Sequence, residues 1–342
     1  MTSTHSMTRR APLLGAGLAG LAGLLLVLVF LSLTQGSRDI AVSDALRALF
    51  TLQGDGSVDD TVTLQLRVPR TVLGVLAGAA LGLAGAILQG VTRNTLADPG
   101  IMGINAGAAL FIVTAITVFG ITSISGYVWF GLLGALVATV LVYTIASFGR
   151  EGATPVKLAL AGVAVHAGLY SLTTAIVVTQ IEALDQIRFW QVGSLAGRYT
   201  PVVLGVAPFL LLGIVLALAC GRTLNGLALG EDTARGLGVD VRRARWITFA
   251  LVTLLAGAAT AACGPIVFVG LVIPHLARFL TGPDYRWVLP YSLLLGPIVL
   301  LLADVVGRVV ARPAEVEVGV ILALIGAPVF VAVVRYAKLA EL

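Results

Sequence analysis

The chain has 342 residues, of which 58% are hydrophobic and 11% are charged, and its formal net charge is +5. In soluble domains about a quarter of the residues are charged, so this composition excludes a soluble globular protein. Several charge-free stretches reach the ~20 residues that a helix needs to cross a bilayer. The sequence therefore predicts a single all-α integral membrane domain over residues 1–342. Its positive charge is expected in cytoplasmic loops rather than on a nucleic-acid surface.

The first apolar stretch, residues 13–33, follows Arg9 and Arg10. It is longer than a signal-peptide core, and no clear small-x-small cleavage site follows it. We therefore expect a retained first span, with residues 1–12 in the cytoplasm. The cysteines and histidines show no metal-ligand spacing, so no bound metal is expected.

Charges, glycines and prolines divide the chain into ten predicted spans. A single helix over 246–277 would be ~48 Å long, so Pro265 and Pro274 are expected to break it and leave a short second piece. Ten spans place both termini on one side, and the distribution of basic residues favours the cytoplasm. The spans are 13–33, 71–92, 101–120, 127–148, 156–180, 201–220, 246–264, 268–281, 287–306 and 318–335.

The second predicted span carries a stripe of small residues. Gly74, Gly78, Gly82 and Gly85 follow one another at spacings of four, four and three residues. Small residues at this spacing let helix backbones approach closely in a membrane. The stripe predicts tight packing within the helix bundle.

Ionisable side chains are sparse inside the predicted spans. His166 lies in the fifth span, where it either faces a transported solute or bonds to a neighbouring helix. Asp304 lies near the end of the ninth span with Arg308 four residues on, which predicts a local ion pair. Ion-coupled transporters usually place acids or histidines at membrane depth, and the chain has no nucleotide-binding P-loop. A partner ATPase is one remaining energy source. A transporter or channel working alone is the alternative, and a membrane enzyme is a third.

The charged segment 222–244 separates the sixth and seventh predicted spans. Acids at its first helical turn and glycines after it predict two short helical turns. Its apolar residues would be knobs for a groove of a soluble partner, unless the segment is simply a solvated positive-inside loop. The residues alone leave these two interpretations open. The knobs would be Leu227, Leu229, Ala234 and Leu237.

A set of motifs then occurs in a recognisable order, from about residue 37 to 334. The sequence resembles the permease subunits of type II ABC importers, the FecCD-type family for ferric siderophores, haem and cobalamin. Within that family it is most similar to the ferric-enterobactin branch. The motifs include LRVPRTVLGVLAGAALGLAGAILQ (66–89), RNTLADPGIMGINAGAA (93–109), DQIRFWQVGSL (185–195), LALGEDTARGLGV (227–239) and LLADVVGR (301–308).

This resemblance implies a permease fold of about ten transmembrane helices in the cell membrane. It also implies a second permease chain, identical or different, and two ATP-binding cassette subunits that use ATP and Mg. An extracytoplasmic binding protein would deliver the solute, with a ferric siderophore first and haem or cobalamin as alternatives. The permease itself would be no enzyme and would bind no cofactor directly.

The resemblance also assigns roles to residues. Arginines matching Arg67, Arg70 and Arg308 receive glutamates from the binding protein. Lipid head groups, or acids such as Asp59, Asp60 and Asp304, are alternative partners. The fifth and tenth spans are candidates to line the pathway. The chain departs from the family where Thr95 and Glu317 replace common prolines. The ATPase contact would comprise Leu227, Leu229, Gly230, Glu231, Asp232, Ala234, Arg235 and Leu237, and the pathway candidates are His166, Ser171, Thr173 and Thr174.

Overall fold

The structure is a computed structural model that describes residues 4–38, 40–51, 57–148 and 154–340. Helices dominate these ranges, and a π-helical turn, Val62–Arg67, joins the third helix to the fourth. A 3-10 turn, Pro99–Met102, precedes the fifth. The helices are α1 (Thr4–Thr34), α2 (Val42–Thr51), α3 (Val58–Thr61), α4 (Val68–Thr92), α5 (Ile104–Phe119), α6 (Ile124–Ser147), α7 (Pro155–Thr179), α8 (Ile181–Gln191), α9 (Thr200–Ala219), α10 (Gly221–Ala228), α11 (Glu231–Gly236), α12 (Val241–Cys263), α13 (Val269–Thr281), α14 (Tyr285–Val310) and α15 (Val318–Ala340).

Ten of these helices correspond to the ten predicted spans. Within the part of the chain that the structure describes, seven helical stretches are long and apolar enough to cross a membrane, and α5, α13 and the apolar part of α15 are shorter. The prediction of an all-α membrane fold is confirmed. Among the helix starts, the largest differences are those of α1 and α12, which begin at Thr4 and Val241 rather than at the predicted residues 13 and 246. Both extensions carry arginines and therefore lie outside the predicted spans. A helix can nevertheless continue beyond the hydrocarbon core wherever its backbone hydrogen bonds remain favourable.

The predicted break in the run 246–277 is confirmed. Helix α12 ends at Cys263 and α13 begins at Val269. Gly264, which follows α12, and Phe268, which precedes α13, have positive φ angles of 77° and 69° that a continuous helix does not contain. Pro274 lies within α13 and does not interrupt it. The second piece is therefore a short helix of 13 residues.

Helix α4 lies at the centre of the bundle, where its glycine stripe contacts other backbones. A Cβ atom on Gly78 would lie 2.6 Å from backbone atoms of Pro297 in α14. On Gly85 it would lie 1.8 Å from the carbonyl oxygen of Gly270 in α13. The predicted close packing is confirmed, because only a residue without a side chain permits these approaches.

Helices α4 and α14 run antiparallel, which defines two ends of the molecule. Arg70 at the start of α4 contacts Asp304 near the end of α14; we call this the arginine end. At the other end, Gly90 of α4 packs against the ring of Tyr285, the first residue of α14. Helix α10 also lies there, because a Cβ on its Gly221 would be 3.3 Å from the Tyr285 carbonyl oxygen. We call this the α10 end.

Candidate functional site

A buried ion cluster occupies the arginine end, with Asp304 at its centre. The guanidinium of Arg70 donates to both carboxylate oxygens of Asp304, its Nη2 atom at 2.7 Å and its Nε atom at 3.1 Å. The Nη2 atom of Arg308 lies 2.8 Å from the other side of the same carboxylate. Asp304 is fully buried, and Arg308 is 2% exposed. The predicted pair between Asp304 and Arg308 is therefore present, and it is shared with Arg70.

Two arginines at this end, Arg67 and Arg308, bond to the last turn of α1. Arg67 donates to the carbonyl oxygens of Leu33 and Thr34, and Arg308 donates to the carbonyl oxygen and hydroxyl of Ser32. The last carbonyls of a helix lack partners within it, and cations near them also complement the helix dipole. The cluster therefore joins α1, α4 and α14.

Glu315 brings the cluster to the protein surface. Its carboxylate accepts from the Arg70 Nη1 atom at 2.7 Å and from the Ser37 hydroxyl at 2.8 Å. Its side chain is 26% exposed, against 11% for that of Arg70. Burial alone would raise the pKa of Glu315, but the charge of Arg70 and the bonds from Arg70 and Ser37 hold that pKa below its usual value. We call Arg67, Arg70, Asp304, Arg308 and Glu315 the arginine cluster.

Each predicted docking arginine thus has partners within the chain. Among the acids named as alternative partners, Asp304 contacts both Arg70 and Arg308, whereas Asp59 pairs with Arg38. A role in docking stays a prediction. A carboxylate from another protein would meet Arg70 beside Glu315, where the cluster reaches solvent.

The segment at the α10 end forms the two short helices that were predicted. Helix α10 ends at Ala228, and Gly230, with a φ angle of 102°, begins the turn into α11. Gly238, with a φ angle of 81°, follows α11. The compact element therefore has glycines where its chain reverses, as expected from their freedom in this region.

The apolar residues of this segment divide into two sets. Leu227 is 4% exposed and Ala234 is fully buried, so the prediction that both are protruding knobs is wrong. They hold the segment against the bundle instead. Leu229 and Leu237 are 63% and 64% exposed. Between them, Asp232 and Arg235 form an exposed ion pair at 3.2 Å, whereas the Glu231 side chain lies outside the described residues. A partner would meet this exposed face of Leu229, Asp232, Arg235 and Leu237.

Three of the four pathway candidates share the exposed surface of α7. His166, Ser171 and Thr174 are exposed, whereas Thr173 is buried. The hydroxyls of Ser171, Thr173 and Thr174 each donate to the carbonyl oxygen four residues earlier in the same helix, at 2.8–2.9 Å. The His166 ring stacks on Tyr170 with an interplanar angle of 6°. This face offers a solute hydroxyl oxygens and rings without a carboxylate, and its role in the pathway stays a prediction.

Comparison with known proteins identifies the family of this chain. The FecCD transport family matches residues 24–336, which is most of the chain. The chain belongs to the FecCD transport family.

Two relatives and one solved structure show how similar this chain is to known transport proteins. The ferric enterobactin transport system permease protein FepD of Escherichia coli K12 is 46% identical over 92% of this chain and 94% of its own length. The Fe(3+)-citrate import system permease protein YfmD of Bacillus subtilis is 42% identical over 91% of this chain and 92% of its own. A solved inward-facing ABC transporter, described as of metal-chelate type, is 31% identical, with a TM-score of 0.82 over 94% of this chain and 99% of that one. The FecCD chain is therefore a multi-pass membrane transport subunit.

Sequence reasoning missed two polar residues that complete these sites. Glu315 lies two residues before Glu317, and its bond to Arg70 joins positions 245 residues apart in the chain. Asn225 lies within the charged segment, but its amide contacts Asp284, which is 59 positions away in the chain. Neither contact follows from periodicity, because each joins a loop or short helix to a distant element.

Proposed function

We propose that this chain is the permease subunit of an ATP-driven ABC importer that moves a ferric siderophore across the cytoplasmic membrane. The observation that carries this proposal is the 46% identity over 92% of the chain to a permease named for ferric enterobactin transport. The Fe(3+)-citrate relative has nearly the same coverage, which favours iron chelates as the substrate class. ATP hydrolysis, with Mg, takes place in separate cassette subunits.

In the working assembly, two permease chains enclose the pathway and two ATPase subunits bind beneath them. The α10 end faces the cytoplasm, and so do both termini. The exposed face formed by Leu229, Asp232, Arg235 and Leu237 contacts the ATPase, with Leu227 and Ala234 fixing the segment behind it. The physical basis is a pair of exposed leucines on either side of an ion pair, a combination of apolar and charged groups that suits a groove in a soluble protein.

The arginine end faces outward and receives the binding protein. A glutamate of that protein would approach Arg70 from the solvent side, where Glu315 already occupies one nitrogen of the guanidinium. Arg70 already bonds two carboxylates, those of Asp304 and Glu315, so a third must take the place of Glu315 or use another of the five N–H donors of the guanidinium. Docking therefore adds to the arginine cluster or displaces Glu315, while the Asp304 contacts remain.

The pathway lies along α7 and α15. The exposed side of α7 presents alanines, valines, small hydroxyls and His166. A wall without fixed charge gives a large chelate no strong ionic contact, so the solute is not retained after its partner releases it.

The test is uptake of radiolabelled iron by cells that lack the chain and are complemented with it. Ferric enterobactin and Fe(III)-citrate are the first probes, with labelled haem and cobalamin as the alternatives. We expect energy-dependent uptake of a ferric chelate, abolished by an inactive cassette subunit. Uptake of cobalamin or haem alone would replace the substrate. Uptake that persists after nucleotide is exhausted would contradict the importer and favour a transporter working alone.

A further inference from the structure

The side chain of Asn225 makes a two-point contact between α10 and α14. Its Nδ2 atom donates to the Asp284 carboxylate at 2.6 Å, and its Oδ1 atom accepts the backbone N–H of Tyr285 at 2.9 Å. A side-chain amide can make both contacts because its nitrogen donates while its oxygen accepts. The two contacts bond α10 to the first residue of α14 and to the residue before it.

This contact completes the cap of α14. The first N–H groups of a helix have no partner within it. Asp284 accepts the N–H of Arg286 at 2.9 Å, and Asn225 accepts that of Tyr285. The Arg286 guanidinium, aided by Asn225 and despite partial burial, lowers the pKa of Asp284 to about 2. Asp284 is therefore charged at neutral pH, and its bond to Asn225 is charge-assisted.

Helix α14 leads from this contact to the arginine cluster. It is continuous from Tyr285 to Val310, so Tyr285 and Arg308 lie roughly 35 Å apart at 1.5 Å per residue. Along the way its Gly296 packs on Gly78, where a Cβ would be 2.0 Å from the Gly78 carbonyl oxygen. At the far end, Asp304 contacts Arg70 of α4. Helices α4 and α14 are therefore held together over their length and can move as one body.

We propose that the Asn225–Asp284 contact is the link through which the ATPase-contacting segment and the outer arginine cluster influence each other. A displacement of α10 and α11 pulls on the start of α14, and the α4–α14 pair transmits it to Arg70 and Arg308. Asn225 is a positioning residue, since it touches neither solute nor nucleotide. This inference rests on the proposed function, because it gives that importer a path between its two docking surfaces.

The alternative is that Asn225 only stabilises the local fold. A lost cap lowers stability without changing how much solute moves for each ATP hydrolysed. The two roles are therefore distinguished by the coupling ratio, which is the amount of substrate transported per ATP hydrolysed. A second readout is the stimulation of ATP hydrolysis by the binding protein.

The experiment uses the complete transporter in proteoliposomes, with its cassette subunits and binding protein. Asn225→Ala removes both bonds. Asn225→Asp places a second carboxylate about 2.6 Å from Asp284. The double exchange Asn225→Asp with Asp284→Asn restores the two contacts of position 225 with donor and acceptor exchanged. The amide nitrogen that then donates from position 284 cannot also accept the Arg286 N–H, so this one cap bond is lost and recovery is partial. Asn94→Ala is the matched control, because it makes the same exchange at an exposed asparagine whose Oδ1 atom accepts the Leu96 N–H at 2.9 Å in the loop after α4.

We expect both single variants at Asn225 to lower the coupling ratio about tenfold, which corresponds to ~1.4 kcal/mol, with cassette binding and unstimulated hydrolysis retained. The double exchange should recover to within about threefold of the unaltered protein, and Asn94→Ala should keep the full ratio. Full coupling in Asn225→Ala, or a double exchange no better than Asn225→Asp, would overturn the inference. Failure of the unaltered protein to import any ferric chelate with ATP would instead contradict the proposed function.

Discussion

The arginine cluster gives the sharpest prediction about stability. Asp304 is fully buried, and its carboxylate lies 2.7 Å from Arg70 and 2.8 Å from Arg308. Asp304→Asn keeps the size of the side chain and removes its charge, leaving two guanidinium groups facing each other without that carboxylate. Removal of one partner from a buried ion pair costs about 3–5 kcal/mol. Because Glu315 still neutralises part of the charge on Arg70, we expect about 3 kcal/mol.

The assay is equilibrium unfolding in mixed micelles with an increasing fraction of a denaturing detergent, followed by circular dichroism. Asp59→Asn is the matched control, because Asp59 pairs with Arg38 at 2.9 Å while their side chains are 35% and 56% exposed. Exposed pairs contribute less than about 1 kcal/mol. The reasoning is refuted if Asp304→Asn loses no more stability than Asp59→Asn.

Three further predictions concern packing, partner binding and pH. Gly85→Ala should lower the free energy of unfolding by about 1–3 kcal/mol, because its Cβ would lie 1.8 Å from a backbone carbonyl oxygen of α13. Gly23→Ala should be neutral, because nothing lies within 4 Å of the added Cβ. Equal unfolding midpoints for the two variants would contradict this prediction. Leu229→Glu should reduce co-purification of the cassette subunit about tenfold and leave the fold intact. Leu227→Glu should instead unfold the segment, because Leu227 is buried. If Leu229→Glu unfolds the segment and Leu227→Glu only weakens cassette binding, the assigned contact face is wrong. The pKa of Glu315 lies below its ordinary 4.5 in the fold. The charged Glu315 therefore stabilises the fold fully above pH 4.5, and this contribution is lost on acidification. Between pH 5 and 3 the free energy of unfolding should therefore fall less in Glu315→Gln than in the unaltered protein.

The helices and their packing were largely predictable because they follow from local patterns. Charge-free runs of sufficient length gave the ten spans, and the glycine stripe of α4 predicted where backbones meet. The break after Cys263 followed from Gly264 and Pro265. The helices that were missed, α2, α3 and α8, lie outside the predicted spans, where hydropathy carries no signal of a membrane crossing.

The polar contacts were predictable only in part, for a physical reason. The pair of Asp304 with Arg308 is local, four residues apart on one helix, and it was predicted. The partners of Arg67 are backbone carbonyls more than 28 positions away, and a carbonyl has no signature in the sequence. Burial of Leu227 was missed for a similar reason, since a short helix can present either face to a bundle that must be known first.

The central claim is that the exposed face of α10 and α11 lies in the cytoplasm and holds a separate ATPase. The most direct measurement is site-specific cross-linking from Leu237→Cys, with Cys220 replaced by Ser, in the assembled transporter in membranes. The account predicts a cross-link to the cassette subunit whose yield changes when ATP is added, and protection of this thiol from a membrane-impermeant reagent outside intact cells. Labelling of the thiol from outside, with no cross-link to the cassette subunit, would contradict it.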